Sequence, residues 1–129
     1  MKFNELGRTG IKVSRICLGT MTFGQQNTEA EGHQQLDMAF DHGVNFLDTA
    51  EMYSFPGKPE TQGSTEKIIG NWMKARNNRA SVIVATKITG PSAGLKYIRG
   101  GDLRFGKKQV SDAVDLSLKR LQTDYIDLY

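Results

Sequence analysis

Three ionisable residues, Asp48, Tyr53 and Lys87, have the types and the spacing that acid–base chemistry requires. Asp48 ends the apolar segment NFLD, Tyr53 follows five positions later, and Lys87 ends a second apolar segment, SVIVATK. A free tyrosine holds its proton too tightly to release it readily near neutral pH. An ammonium about 4 Å away, at an effective dielectric constant of about 20, favours release by roughly 4 kcal/mol. A tyrosine beside a lysine can therefore act as a general acid towards a substrate oxygen, while an aspartate keeps the lysine charged and oriented.

The elements that must position these residues are a hairpin followed by alternating strands and helices. Residues 3–14 predict two short strands around a glycine-containing turn. Apolar strand segments then end at Gly19, Asp48 and Lys87, an amphipathic helix pattern follows each of them, and a fourth strand begins in the final DYIDLY. Apolar strands that alternate with amphipathic helices are typical of a parallel sheet covered by helices.

Two architectures have this order of elements: an open doubly wound sheet and a (β/α)8 barrel. A doubly wound sheet usually carries G-x-G-x-x-G after its first strand, and the sequence contains neither this motif nor a G-x-x-x-x-G-K-[ST] loop. A complete barrel needs roughly 250 residues. We therefore predict a single domain, residues 1–129, that forms the N-terminal part, about half, of a (β/α)8 TIM barrel, with the hairpin before it and an end after the fourth barrel strand.

The barrel places the three ionisable residues at one rim. Functional side chains of such barrels cluster at the carboxyl ends of the strands. Because neighbouring strands lie about 4.8 Å apart, Asp48 and Lys87 are predicted to meet there, with Tyr53 in the loop just beyond. Polar residues are common at strand ends, so the spacing alone also allows a structural role.

Composition and charge argue against several other classes of protein. The net charge is +3, and the basic residues are dispersed without a nucleic-acid motif, so we predict no nucleic-acid partner. No run of about 18 apolar residues predicts a membrane span. The N-terminus lacks the apolar core of a signal peptide, so we expect a cytoplasmic protein, and we predict no metal site. The single cysteine, Cys17, is predicted to be a small buried residue.

Five separated motifs resemble those of the aldo-keto reductases. In order along the chain they are GTMTFG, FLDTAEMY, STEKIIGNW, ATK and SLKRLQTDYIDLY. The sequence resembles most closely a bacterial branch related to the potassium-channel β-subunits, and the resemblance covers essentially the whole chain. It implies a (β/α)8 barrel whose base is closed by an N-terminal hairpin.

The resemblance also implies an oxidoreductase that transfers hydride from a nicotinamide cofactor, usually NADPH, to the carbonyl of a small aldehyde or ketone. Matched motif by motif, Tyr53 is implied to be the general acid, Lys87 the residue that makes its hydroxyl more acidic, and Asp48 the partner of Lys87. Binding roles are implied for Thr20, Met21 and Asp48 at the nicotinamide and, with ordinary packing as the alternative, for Phe23 and Met52 at the substrate pocket.

The sequence departs from the family pattern in two respects. The family's catalytic histidine, about three positions beyond a DLY such as the final one here, would lie past Tyr129, and His33 and His42 are predicted to be surface residues. The barrel half that binds the adenine and 2′-phosphate is also absent. We therefore expect the 129 residues alone to bind NADPH weakly or not at all, and to self-associate through open sheet edges. The alternative to a reductase part is a non-catalytic fragment that acts only through self-association or a complementary half.

Overall fold

The chain begins with a two-stranded hairpin that forms a sheet of its own. In the computed structural model, which describes residues 1–129, β1 (Phe3–Glu5) pairs antiparallel with β2 (Lys12–Ser14). Ser14 connects this hairpin to the rest of the molecule. Its backbone N–H donates to Asn45 Oδ1 at 2.7 Å, and its hydroxyl accepts from the backbone N–H of Asn45 at 3.1 Å.

Three parallel strands form the main sheet in the order in which they occur along the chain. They are β3 (Cys17–Gly19), β4 (Phe46–Asp48) and β5 (Ile83–Ala85). The final segment extends this order, because Leu128 forms a parallel bridge with Ala85 and its backbone N–H donates to the Val84 carbonyl at 3.3 Å. Four segments thus lie side by side, as in the first half of a barrel.

Three helices connect the strands: α1 (Glu29–Asp41), α2 (Ser64–Arg76) and α3 (Lys107–Leu121). Thr28, followed three positions later by Glu31, has the sequence pattern of a capping box, and α1 begins with one. The Thr28 hydroxyl accepts from the Glu31 backbone N–H at 3.3 Å, and the Glu31 carboxylate accepts from the Thr28 backbone N–H at 2.7 Å. Two of the N–H groups that every helix start leaves unpaired are thereby satisfied.

The hydrophobic core lies between the main sheet and the helices. Leu47 and Val84 point from adjacent strands into a cluster that includes Trp72 and Ile69 of α2. Burying such side chains is the main favourable term in folding, at about 25 cal/mol per Å² of apolar surface. Gly70 allows α2 to approach α3 closely, because a Cβ there would lie 2.5 Å from the backbone oxygen of Arg120.

The predicted fold class is confirmed, with two local differences. A hairpin followed by parallel strands and helices packed on one side forms about half of a (β/α)8 TIM barrel. The pairing of β5 with β4 ends at Ala85, so Lys87 lies two residues beyond the strand it was predicted to close. Cys17 is exposed rather than buried, because it lies on the sheet face opposite the helices. No helix combines the length and apolar character needed to cross a membrane.

Candidate active site

Lys87 and Asp48 form an ion pair at the carboxyl ends of two adjacent strands. Lys87 Nζ lies 2.7 Å from Asp48 Oδ1 and also donates to the backbone oxygen of Thr49 at 2.6 Å. The contact follows from the fold, because Asp48 is the last residue of β4 and parallel strands end at the same edge of the sheet. Both side chains remain open to solvent, at 46% and 40% exposure, so they can reach a bound molecule.

Tyr53 lies beside this ion pair in the loop after β4. Lys87 Nζ is 5.2 Å from the centroid of the Tyr53 ring. Hydrogen bonds hold the loop on both sides, since the Tyr53 backbone N–H donates to the Ala50 carbonyl at 3.1 Å and its carbonyl accepts from Gly63 at 2.6 Å. The three residues with predicted catalytic roles therefore share one rim.

Thr20 and Met21, the residues implied for the nicotinamide side, follow β3 at the same rim. Thr20 is fully buried, and its backbone N–H and its hydroxyl both donate to the Asp48 carbonyl, at 3.1 and 2.7 Å. It therefore fixes the end of β4 instead of presenting its hydroxyl to solvent. Met21 has an exposed side chain, and its backbone oxygen accepts from Phe55 in the loop that carries Tyr53.

A cavity of about 280 Å³ opens next to Tyr53 and Lys87. Met52, predicted at the substrate pocket, lines it together with residues 88–92 and Leu95. The cavity thus lies between the loop after β4 and the loop after β5. It combines apolar walls with one phenol and one ammonium, which is typical of a small-molecule site.

Phe23 is the predicted pocket residue that the structure does not bring to this cavity. Its side chain is 1% exposed and lies in the hydrophobic core, where it is in close contact with Gly32 of α1. Its backbone oxygen accepts from the Thr65 hydroxyl at 2.8 Å. Phe23 therefore has a packing role in the core and does not line the proposed substrate pocket. A larger cavity, about 380 Å³, lies between residues 24–29 and α2 and contains none of the predicted site residues.

A buried ion pair behind the rim was missed by the sequence analysis. The side chain of Glu51 is 0% exposed and that of Arg99 is 5% exposed, with Arg99 Nη2 3.1 Å from Glu51 Oε1. Glu51 Oε1 also accepts from the Thr89 backbone N–H at 2.6 Å. Glu51 lies in the loop after β4 and Arg99 in a short 3-10 segment, Ile98–Gly101, so no periodicity of a strand or long helix indicates their burial.

Two groups with a raised pKa border the site. Partial burial, and then the Asp48 carboxylate, raise the pKa of the Cys17 thiol. Burial, followed by the carboxylates of Glu51 and Glu66, raises the pKa of Tyr129 to about 12. Both groups are therefore protonated near neutral pH and add no charge to the rim. The structure contains no group of histidine, cysteine, aspartate and glutamate side chains arranged to hold a metal ion.

Comparisons with known proteins identify relatives along the whole chain. Residues 15–129 match the family model described as "Aldo/keto reductase family". Protein tas of Escherichia coli is 46% identical over 129 residues, which is 100% of this chain and 37% of that protein. An uncharacterized oxidoreductase of Bacillus subtilis, YrpG, is 42% identical over 134 residues, which is 100% of this chain and 39% of that protein.

Solved structures with the same fold include two reductases. The holo form of aldo-keto reductase AKR11C1 from Bacillus halodurans superposes with a TM-score of 0.80 at 36% identity and matches 100% of this chain and 39% of its own. The thermostable aldo-keto reductase Tm1743, in complex with the inhibitor epalrestat, has a TM-score of 0.76 at 29% identity and matches 100% and 42%. The chain thus spans less than half the length of these relatives.

Proposed function

Since the chain belongs to the aldo/keto reductase family, a family of oxidoreductases, we propose that it supplies one side of the active site of a reductase that reduces aldehydes or ketones with NADPH. The observation that carries this proposal is the placement of Lys87 Nζ, 2.7 Å from Asp48 and 5.2 Å from the Tyr53 ring. These groups lie at the end of a barrel where functional residues cluster.

In this proposal, Tyr53 donates a proton to the substrate carbonyl oxygen. A bound reduced nicotinamide supplies the hydride that reaches the carbonyl carbon. The Lys87 ammonium lies where it can stabilise the negative charge that develops on the Tyr53 oxygen during proton transfer, because opposite charges attract. Asp48 and the Thr49 carbonyl hold Lys87 by two hydrogen bonds, which keep its ammonium beside Tyr53.

The residues at the rim have the chemistry that a nicotinamide nucleotide needs. Asp48 uses Oδ1 for Lys87, and its second oxygen, Oδ2, makes no hydrogen bond within the chain. This free carboxylate oxygen can accept from a sugar hydroxyl. Met21 offers an exposed apolar side chain on the same side, while Thr20 fixes the Asp48 backbone through its two hydrogen bonds. We propose these three residues as the nicotinamide side of the site.

The substitution Tyr53→Phe in the full gene product tests the proposal. It removes one hydroxyl and retains the ring, so carbonyl reduction should fall by at least about 10²-fold, the usual contribution of a general acid. Binding of NADPH, followed by the fluorescence of the nicotinamide, should stay the same. Reduction at the wild-type rate by the Tyr53→Phe variant, with the same substrate and pH, would remove Tyr53 from its proposed role.

A second function is favoured by apolar side chains at both edges of the sheet. Ile16, next to β3, and Leu128, beside β5, are exposed. Unpaired strand edges with exposed apolar residues promote association. In this proposal the 129 residues act without catalysis, through self-association or a complementary half. Light scattering of the chain should then show oligomers, and a stable monomer would argue against this function.

A further inference from the structure

The buried pair of Glu51 and Arg99 is hydrogen-bonded to the backbone next to Lys87, the exposed partner of Asp48. Arg99 Nε is 3.2 Å from each oxygen of the Glu51 carboxylate, and Arg99 Nη2 is 3.1 Å from Oε1. The guanidinium therefore faces the carboxylate with two nitrogens, which fixes orientation as well as distance. Both side chains are almost completely closed to solvent, so the pair acts within the protein.

Glu51 and Arg99 hold the backbone from Lys87 to Thr89. The Glu51 backbone N–H donates to the Lys87 carbonyl at 3.1 Å, and the Glu51 carboxylate accepts from the Thr89 backbone N–H at 2.6 Å. Arg99 adds a hydrogen bond to the Thr89 carbonyl at 2.9 Å and one to the Asp102 carbonyl at 2.9 Å. The backbone from Lys87 to Thr89 is thus attached to Glu51 at two points.

The same residue is linked to the other half of the site. Glu51 is two residues before Tyr53, within the turn that the Tyr53 N–H closes on Ala50. The loop that Arg99 anchors through Thr89 forms the opposite wall of the cavity, residues 88–92. Glu51 is thus bonded to the segment that carries Lys87 and lies in the turn that carries Tyr53, one on each side of the cavity.

We propose that Glu51 and Arg99 are positioning residues, which set the distance between the Tyr53 hydroxyl and the Lys87 ammonium and hold residues 88–92 against the cavity. This proposal rests on the proposed reductase function. Apolar residues of similar volume often replace a buried ion pair without loss of stability. A buried ion pair that is bonded to both sides of a site therefore fits a role in geometry, and a displacement of about 1 Å between reacting groups can cost about 10²-fold in rate.

The chain contains a matched pair for the control. Asp127 Oδ2 accepts from Arg79 Nη2 at 2.8 Å and from the Val84 backbone N–H at 2.9 Å, and Arg79 Nη1 donates to the Val82 carbonyl at 2.8 Å. Like the Glu51 and Arg99 pair, the Asp127 and Arg79 pair joins a carboxylate to a guanidinium, and both side chains hydrogen-bond to one stretch of backbone. It lies at the opposite end of β5, and neither residue lines the cavity beside Tyr53.

The decisive experiment compares two double variants in the full gene product. Glu51→Gln with Arg99→Met, and Asp127→Asn with Arg79→Met, each remove both charges, so neither leaves a buried charge without a partner. The first should lower kcat for carbonyl reduction at least tenfold, whereas the second should change it less than twofold. Thermal unfolding of both variants separates this effect from a loss of folded protein.

Further measurements keep the outcomes distinct. Arg99→Lys retains the charge but not the contact of two nitrogens with Glu51. It should lower kcat while leaving the protein folded. If the double variant does not fold, the kcat of Arg99→Lys tests the positioning role. In the 129-residue chain, hydrogen exchange at the Thr89 amide should be faster after Glu51→Gln with Arg99→Met. Wild-type kcat in both Glu51/Arg99 variants would overturn the positioning role. A wild-type protein without carbonyl reductase activity would instead overturn the proposed function, and the amide exchange would still report on the anchoring.

Discussion

The two ends of β5 use the same kind of polar contact for different purposes. At the amino end, Asp127 and Arg79 hold the backbone of Val82 and Val84, and neither residue lines the cavity beside Tyr53. At the carboxyl end, a similar buried pair holds the backbone next to Lys87, and in front of it lies a second ion pair that is open to solvent. The cavity beside Tyr53 lies at this end.

The difference shows how the barrel separates stability from reactivity. Exposed ion pairs contribute about 0–1 kcal/mol to stability, because water competes for both charges. A buried pair that loses one partner destabilises a protein by about 3–5 kcal/mol. Lys87 and Asp48, which are proposed to act beside Tyr53, therefore form an exposed pair on which the fold depends little, while the buried pair of Glu51 and Arg99 is closed to substrates.

The largest effect is expected from Arg99→Met, which tests the buried side of the comparison. It leaves the Glu51 carboxylate fully buried without its cation. The free energy of unfolding, measured with urea, should fall by about 3–5 kcal/mol. A loss below about 1 kcal/mol would show that the buried Glu51 and Arg99 pair contributes no more to stability than the exposed Lys87 and Asp48 pair.

A smaller loss is expected from Arg79→Met at the amino end. The side chains of Arg79 and Asp127 keep 17% and 13% exposure, so water can partly replace the lost contacts. The hydrogen bonds of a charged group are worth about 1.5–3 kcal/mol, and the free energy of unfolding should fall by about this amount. The kcat of the full gene product should not change, and a large fall in kcat at full folding would contradict the separation of the two ends.

Asp48→Asn should have a still smaller effect on stability. The pair with Lys87 is exposed on both sides, so its removal should change the free energy of unfolding by at most about 1 kcal/mol. Carbonyl reduction by the full gene product should nevertheless fall by at least about tenfold, since a neutral amide attracts the ammonium less strongly and fixes it less well beside Tyr53. Equal losses of stability in Asp48→Asn and Arg99→Met would break the comparison.

The smallest effect is expected from pH at an exposed pair far from both ends. Hydrogen bonds from Arg76, and then from Trp72, lower the pKa of Asp37 from 3.8 to about 2. The unfolded chain therefore takes up this proton first as the pH falls, so the stabilisation is present above about pH 4 and is lost towards pH 2. Asp37→Asn should reduce the dependence of the free energy of unfolding on pH between about pH 4 and pH 2. An unchanged slope would mean that Asp37 does not titrate as described.

The sequence predicts those parts of the molecule that depend on local pattern or on strand order. The capping box of Thr28 and Glu31 follows from four adjacent positions. The contact of Asp48 with Lys87 follows from parallel strands that end at one edge. These features need no knowledge of how the loops are folded.

The remaining features depend on long-range loop structure. Glu51 and Arg99 are 48 positions apart, in segments without the periodicity of a strand or long helix, and only the folded chain shows that they meet. Phe23 follows a strand end, where a side chain can face either the rim or the core; contact with Gly32 places it in the core. Cys17 is apolar in sequence context, yet it lies on the open face of the sheet.

The close approach at Gly70 makes the outer helical layer a control point for the rim. A methyl group at position 70 would collide with the backbone of α3 and push α2 along or away from its neighbour. The residue before α2, Gly63, donates a hydrogen bond to the carbonyl of Tyr53. A shift of α2 would therefore also displace the loop that carries the phenol. Designers who wish to retune this rim can therefore work from the far side of the barrel wall, without altering any group that a substrate touches.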